Sequence, residues 1–186
     1  MAIAKFAVAV LFAILSAHLA VAQSEGIILQ EGSNGSAVVL LTIARLQQSG
    51  IFADDQELMR RIAYVETRDG TDENTYRQGY HGGIWAVDEN LFNGTQNINI
   101  YPRLRAKFDQ IRRHFDVDWC SVRWSDLRKP LYSAVAARLV LYNFPRTIPK
   151  ASDVSTQAQM WADHYRQGGS VQEFATVTSE LQGTYV

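Results

Sequence analysis

Glu66 closes the run Ile62-Ala63-Tyr64-Val65-Glu66-Thr67-Arg68-Asp69-Gly70, near the end of a predicted amphipathic helix and just before a glycine turn. Leu58, Ile62 and Val65 recur along that helix and give it an apolar stripe. On the helical wheel the Glu66 carboxyl leaves from the edge of this stripe, not from the opposite, solvated face. A carboxyl held there is partly desolvated, which disfavours its charged form and raises its pKa. Such a group stays protonated at working pH and can hand its proton to a leaving oxygen as a general acid. The competing role is an ion pair, for which Arg61, Arg68 and Arg77 are close in sequence. Asp69, Asp72 and Asp88 follow as carboxylates able to position a water or steady a developing cation, beside the ordinary work of aspartates in turns and caps.

A second cluster lies downstream in His81-Gly82-Gly83-Ile84-Trp85-Ala86-Val87-Asp88. Tyr76, Tyr80, His81 and Trp85 supply flat faces of the kind on which sugar rings stack, and the same aromatics suit a small core. Gly82 and Gly83 can bring backbone close to a ligand. Trp85 either lines a cleft or packs beneath it, packing being the commoner fate. His81, His114 and His164 are scattered, with no His-x-x-x-His or cysteine spacing, so neither a metal nor a cofactor is expected. Cys120 is the single cysteine and forms no intrachain disulfide. It is expected as a buried thiol beside Trp119, since a reactive or intermolecular role needs exposure.

The elements that must position these residues follow from periodicity and punctuation. Ala37 to Gln48 reads as a helix ending at Gly50, after a loosely held arm over 23–36. The next helix, with Asp54 or Asp55 as N-cap, carries Glu66. Residues 68–83 lose the helical period, and Thr75-Tyr76 with Tyr80 suggest a short hairpin. A helical turn is expected from Ile84 into Leu91 and Phe92, then a loop over Asn93 to Asn99. Pro102 opens a helix striped by Leu104, Phe108, Ile111 and Phe115. Pro130 opens the most apolar helix, Leu131 to Tyr142, expected at the centre. Pro145 and Pro149 bracket a loop, Ser155 begins a helix through Tyr165 that Gly168-Gly169 ends, and Val171 to Leu181 forms the last. The fold expected is predominantly α: a single helical domain with a small β or irregular insertion lining a cleft.

Composition narrows the function classes. The chain has 186 residues, with 18 Lys and Arg against 19 Asp and Glu, a formal net charge of −1. No basic excess exists to neutralise phosphates, which argues against nucleic acid as a partner. Residues 1–22 read as a signal peptide: Lys5, the apolar run Phe6 to Leu15, and Ala20-Val21-Ala22 before Gln23. The expected product is secreted or luminal, free of the membrane after cleavage, and monomeric. Asn34-Gly35-Ser36 and Asn93-Gly94-Thr95 are glycosylation sequons, each expected in an accessible loop.

Three segments together resemble one known family. Glu66-Thr67, a loop and then Gly83-Ile84-Trp85-Ala86 form the first. Trp124-Ser125-Asp126-Leu127-Arg128-Lys129-Pro130 before an alanine-rich helix is the second, and Trp161-Ala162-Asp163-His164-Tyr165-Arg166-Gln167-Gly168 the third. The combination resembles the lysozyme-like superfamily, in its lytic transglycosylase and goose-type lysozyme branch, over roughly residues 54–170. The resemblance implies an α+β lysozyme-like domain over 54–186, preceded by an arm and first helix over 23–53. It implies that Glu66 is the acid in cleavage of a β-1,4-linked amino-sugar polysaccharide, peptidoglycan or chitin-like. Asp69 and Asp88 are then candidate catalytic partners, and Tyr80, His81, Gly82, Gly83, Trp85, Tyr142 and Tyr165 candidate substrate-binding residues. Tyr165 would hydrogen-bond Glu66 or substrate, with Tyr142 its rival. Ala86 departs from the glutamine usual at its position, and no second carboxylate follows the family pattern. A transglycosylase works with one glutamate because a substrate hydroxyl is the nucleophile. Inverting hydrolysis needs a second carboxylate as base. The alternative is a non-catalytic glycan-binding protein on the same fold.

Overall fold

We describe the protein from a computed structural model over residues 25–52, 56–144 and 147–182; the leader at 1–22, the Asp54 or Asp55 cap and Pro145 lie outside the described residues. After helical residues 25–29, seven α-helices follow among the described residues: α1 (Ser36–Gln48), α2 (Gln56–Thr67), α3 (Glu89–Gln96), α4 (Leu104–Phe115), α5 (Pro130–Asn143), α6 (Val154–Met160) and α7 (Val171–Gln182). The protein is predominantly helical, and no strand occurs among the described residues. The hairpin expected around Thr75 to Tyr80 does not form. That stretch is a chain of turns closed by local bonds such as Thr75 N–H to Asp72 O and Tyr80 N–H to Arg77 O.

Helix α5 is the central one, as its apolar character predicts. Proline at its first turn costs no hydrogen bond there, and Leu131 and the run from Ser133 to Leu141 are buried on all its faces. It packs against α1, α3 and the 3-10 turn Trp124–Arg128. Helix α2 lays Leu58, Met59, Ile62 and Ala63 into this core. It stops because Arg68, Asp69 and Gly70 all adopt left-handed backbone, with φ of 50°, 63° and 84°. Thr67 then ties the exit down: its hydroxyl donates to the Ile84 carbonyl (2.6 Å) and accepts from Gly70 N–H (2.8 Å). The chain from Gly82 to Val87 is thereby fixed beneath the end of α2.

Four local expectations are corrected. The arm before α1 is anchored: Ile28 is buried, Gly32 N–H bonds the Arg128 carbonyl at 3.0 Å, and Gly35 N–H bonds that of Asp69 at 2.7 Å. Helical structure before Leu91 begins only at Glu89, because the Asp88 side chain caps it by accepting from Leu91 N–H (2.8 Å). The second sequon is therefore helical, not in a loop, and its Thr95 is fully buried, accepting from the Trp119 indole at 3.1 Å. Cys120 is exposed. The tight turn Trp119–Ser121 sends the Trp119 ring inward against Phe92 and Thr95, and the adjacent thiol outward.

Candidate active site

The Glu66 side chain is 1 % exposed and both of its oxygens are engaged. Oε1 accepts from Trp161 Nε1 at 2.7 Å, and Oε2 accepts from Arg166 Nη1 at 2.7 Å. The two donors come from one irregular turn. Helix α6 runs on into a π-helical turn, Trp161–Tyr165, in which Arg166 N–H bonds the Trp161 carbonyl at 2.8 Å. A π turn spaces residues five apart where an α-helix spaces them by four, and such turns are common at functional sites. Here it brings Trp161 and Arg166 to the same carboxyl. Trp161 is clamped by Phe174 (ring centroids 5.2 Å apart) and by Gly169, where any Cβ would fall 2.6 Å from the indole ring.

Burial pushes the Glu66 carboxyl above the ordinary range, and the nearby Glu173 charge adds to this. The Arg166 charge and the bonds from Trp161 and Arg166 pull the other way, but desolvation is the larger effect. The edge-of-stripe position expected for Glu66 is thus the one observed. Its ion-pair partner, however, is Arg166 rather than Arg61, Arg68 or Arg77.

Two cavities share Glu66 in their walls. One, of about 400 Å3, is lined by Glu66, Tyr80, Ala86, Asp88 and Tyr165, with Arg77, Asn90, Leu91, Arg166 and Gln167 around them. The other, of about 290 Å3, is lined by Val65, Trp161, Gly168, Gly169, Ser170 and Glu173, and shares Glu66, Arg166 and Gln167 with the first. Both are walled largely by polar groups. Tyr80 carries the Arg77 guanidinium over its ring at 3.8 Å and meets Trp124 edge-on at 5.7 Å. Burial and the charge of Glu66 push its phenol up to about 12.

Of the expected site residues, Tyr80, Asp88 and Tyr165 join Glu66 in the larger cavity. Tyr165 does not bond Glu66, because its hydroxyl donates to the Trp85 carbonyl at 2.6 Å. Asp69 lies apart from both cavities. Burial pushes its carboxyl up, but it is shut inside against Arg60, which also reaches the Ser36 hydroxyl. Gly83 faces the core, whereas a Cβ on Gly82 would meet the Tyr80 hydroxyl at 2.6 Å and the Val87 carbonyl oxygen at 2.8 Å. The Ser133 hydroxyl donates to the Gly82 carbonyl (2.9 Å), and a Cβ on Gly83, with φ 65°, would sit 2.0 Å from the Leu127 carbonyl oxygen. Trp85 is fully buried, its indole donating to Met59 O at 2.9 Å. His81 packs edge-on against Trp124 (5.1 Å) and lines neither cavity. Tyr142 is removed from both, between the Arg103 and Lys107 cations, each 5.0 Å from its ring.

Sequence reasoning gave no role to Arg166, Trp161, Asn90 or Gln167, and offered Arg77 only as an ion-pair partner for Glu66. The one available signal was the five-residue spacing of Trp161 and Arg166, which puts both on one side only if the helix widens there. Among the described residues no group of three His, Cys, Asp or Glu side chains is placed to hold a metal ion. No helix among them is long and apolar enough to cross a membrane. Comparison with protein-family models, with curated proteins and with solved structures gives no match for this chain.

Proposed function

We propose that this protein is a secreted, lysozyme-like enzyme that cleaves β-1,4-linked amino-sugar polysaccharide, with Glu66 as its general acid. One observation carries the reading: a glutamate with a 1 % exposed side chain, raised in pKa by burial, belongs to the walls of two polar cavities. A general acid must hold a proton at working pH and deliver it in a site that restricts water. The bond to be cleaved would lie at Glu66, with sugar units on either side. Glu66 gives its proton to the glycosidic oxygen as the bond from that oxygen to the anomeric carbon breaks. Asp88, in the same cavity, is the base that takes a proton from the attacking water. That division of labour is hydrolysis with two carboxylates on opposite sides of the sugar.

A second reading has its own support. Arg166 occupies Glu66, the Asp88 carboxylate caps α3, and the Tyr80 ring already carries a guanidinium. These favour a glycan-binding protein without chemistry. Incubation with peptidoglycan and with soluble chitin oligosaccharides, the products identified by mass, separates the readings. New reducing ends support hydrolysis, and 1,6-anhydro ends transglycosylation without Asp88. Retained binding with intact glycan supports the binding protein.

A further inference from the structure

The two donors on Glu66 differ in freedom. Trp161 is buried and clamped between Phe174 and Gly169, whereas the Arg166 side chain is 60 % exposed. An indole N–H only donates, and the unprotonated oxygen of a carboxylic acid is the stronger acceptor, so the clamped Trp161 selects Oε1 for that part. The acid proton of Glu66 therefore belongs on Oε2. That oxygen faces Arg166 at 2.7 Å, and a guanidinium also only donates. A cation and a proton compete for the same oxygen.

We propose that Arg166 is a positioning residue, a latch that caps Oε2 of Glu66, weakens its hold on a proton and must swing away before that oxygen can present its proton to a leaving group. Its location fits the role. Arg166 lines both cavities and ends the π turn, so a chain-like ligand occupying both cavities meets the guanidinium. The latch rests on the reading of Glu66 as an acid. Other groups also face this carboxyl: Glu173 from α7, Tyr165 from the π turn, Tyr80 and Arg77 from the irregular segment, and Asp88 from the cap of α3. Of these, Arg166 alone is hydrogen-bonded to Oε2.

The test is the titration of Glu66 without substrate, read through the indole N–H resonance of Trp161, which Trp161→Phe assigns. Wild type is compared with Arg166→Gln and with Arg166→Lys, which keeps the charge. The latch predicts that the Arg166→Gln midpoint lies about one pH unit or more above wild type, as expected when an adjacent opposite charge is lost. Arg166→Lys should fall between the two. The high-pH limb of glycan cleavage should move up with the midpoint. Equal midpoints in all three proteins would overturn the latch, as would a midpoint that moves while the limb stays put. Because the titration needs no substrate, a wild type that cleaves nothing would sink the glycosidase reading alone, and equal midpoints would still sink the latch.

Discussion

The Trp161 indole and the Glu66 carboxyl lie 2.7 Å apart although 95 residues separate them in sequence. This bond moors α6 to the end of α2 and holds an acidic group where water hardly reaches it. The mooring has a cost that depends on pH. Glu66 titrates above its ordinary value of 4.5 in the folded state, so the fold binds its proton more tightly than the unfolded chain does. Stability is then greatest below that value and falls as pH rises through the window up to the raised one. Glu66→Gln removes the charge and keeps an oxygen for Trp161. It should raise the melting temperature at pH 7. The gain should vanish below about pH 4.5. Thermal unfolding at several pH values checks it, and an unchanged difference across the range would contradict the burial argument.

Asp69 separates structural from catalytic carboxylates. It is paired with Arg60 inside the fold, and asparagine tolerates its left-handed backbone. Asp69→Asn leaves the buried guanidinium without its carboxylate, which should cost about 3 kcal/mol in denaturant unfolding. Folded Asp69→Asn protein should cleave glycan as wild type does. A stable but inactive variant would return Asp69 to the catalytic list.

Two glycines with similar backbone should behave differently. Gly83 and Gly168 both have positive φ, 65° and 82°. An added Cβ meets the Leu127 carbonyl oxygen at 2.0 Å in the first case and nothing within 4 Å in the second. Gly83→Ala should therefore lose more than ~4 kcal/mol or fail to fold. Gly168→Ala should lose only the ~1–2 kcal/mol of the left-handed backbone. Unfolding free energies of the pair measure the difference directly.

Much of the fold was legible in the sequence, and its limits have physical causes. The α2 stripe, the proline-opened α5 and the burial of Glu66 all follow from local periodicity and local stops. The partners of Glu66 do not, because Arg166 lies 100 residues away and reaches it only through a π turn. Asn93 to Thr95 looks like a loop until Asp88 is seen to cap a helix over it. The placement of Cys120 turns on a 3-10 turn one residue long in its effect: Trp119 in, Cys120 out. Gly83 is needed for close packing against Ser133 and Leu127, a requirement written in distant residues, whereas Gly82 makes room for the nearby Tyr80 ring.

Asp88 has two duties that substitution can separate. Its Oδ1 caps α3, a role asparagine fills as well and alanine does not. Asp88→Ala should lose about 1 kcal/mol of stability. Asp88→Asn should stay near wild type in stability yet slow hydrolysis roughly a hundredfold, the scale of a lost general base. An Asp88→Asn protein with full hydrolytic activity would reduce Asp88 to a cap.

The central claim is that Glu66 donates the proton, and the most direct measurement is cleavage by wild type and Glu66→Gln side by side. Both proteins are given peptidoglycan and chitin oligosaccharides, with products identified by mass and folding confirmed by unfolding curves. The account predicts cleavage by wild type and a loss of at least roughly a hundredfold in the variant, with glycan binding retained. Equal cleavage by the two proteins, or binding without cleavage by either, would contradict it.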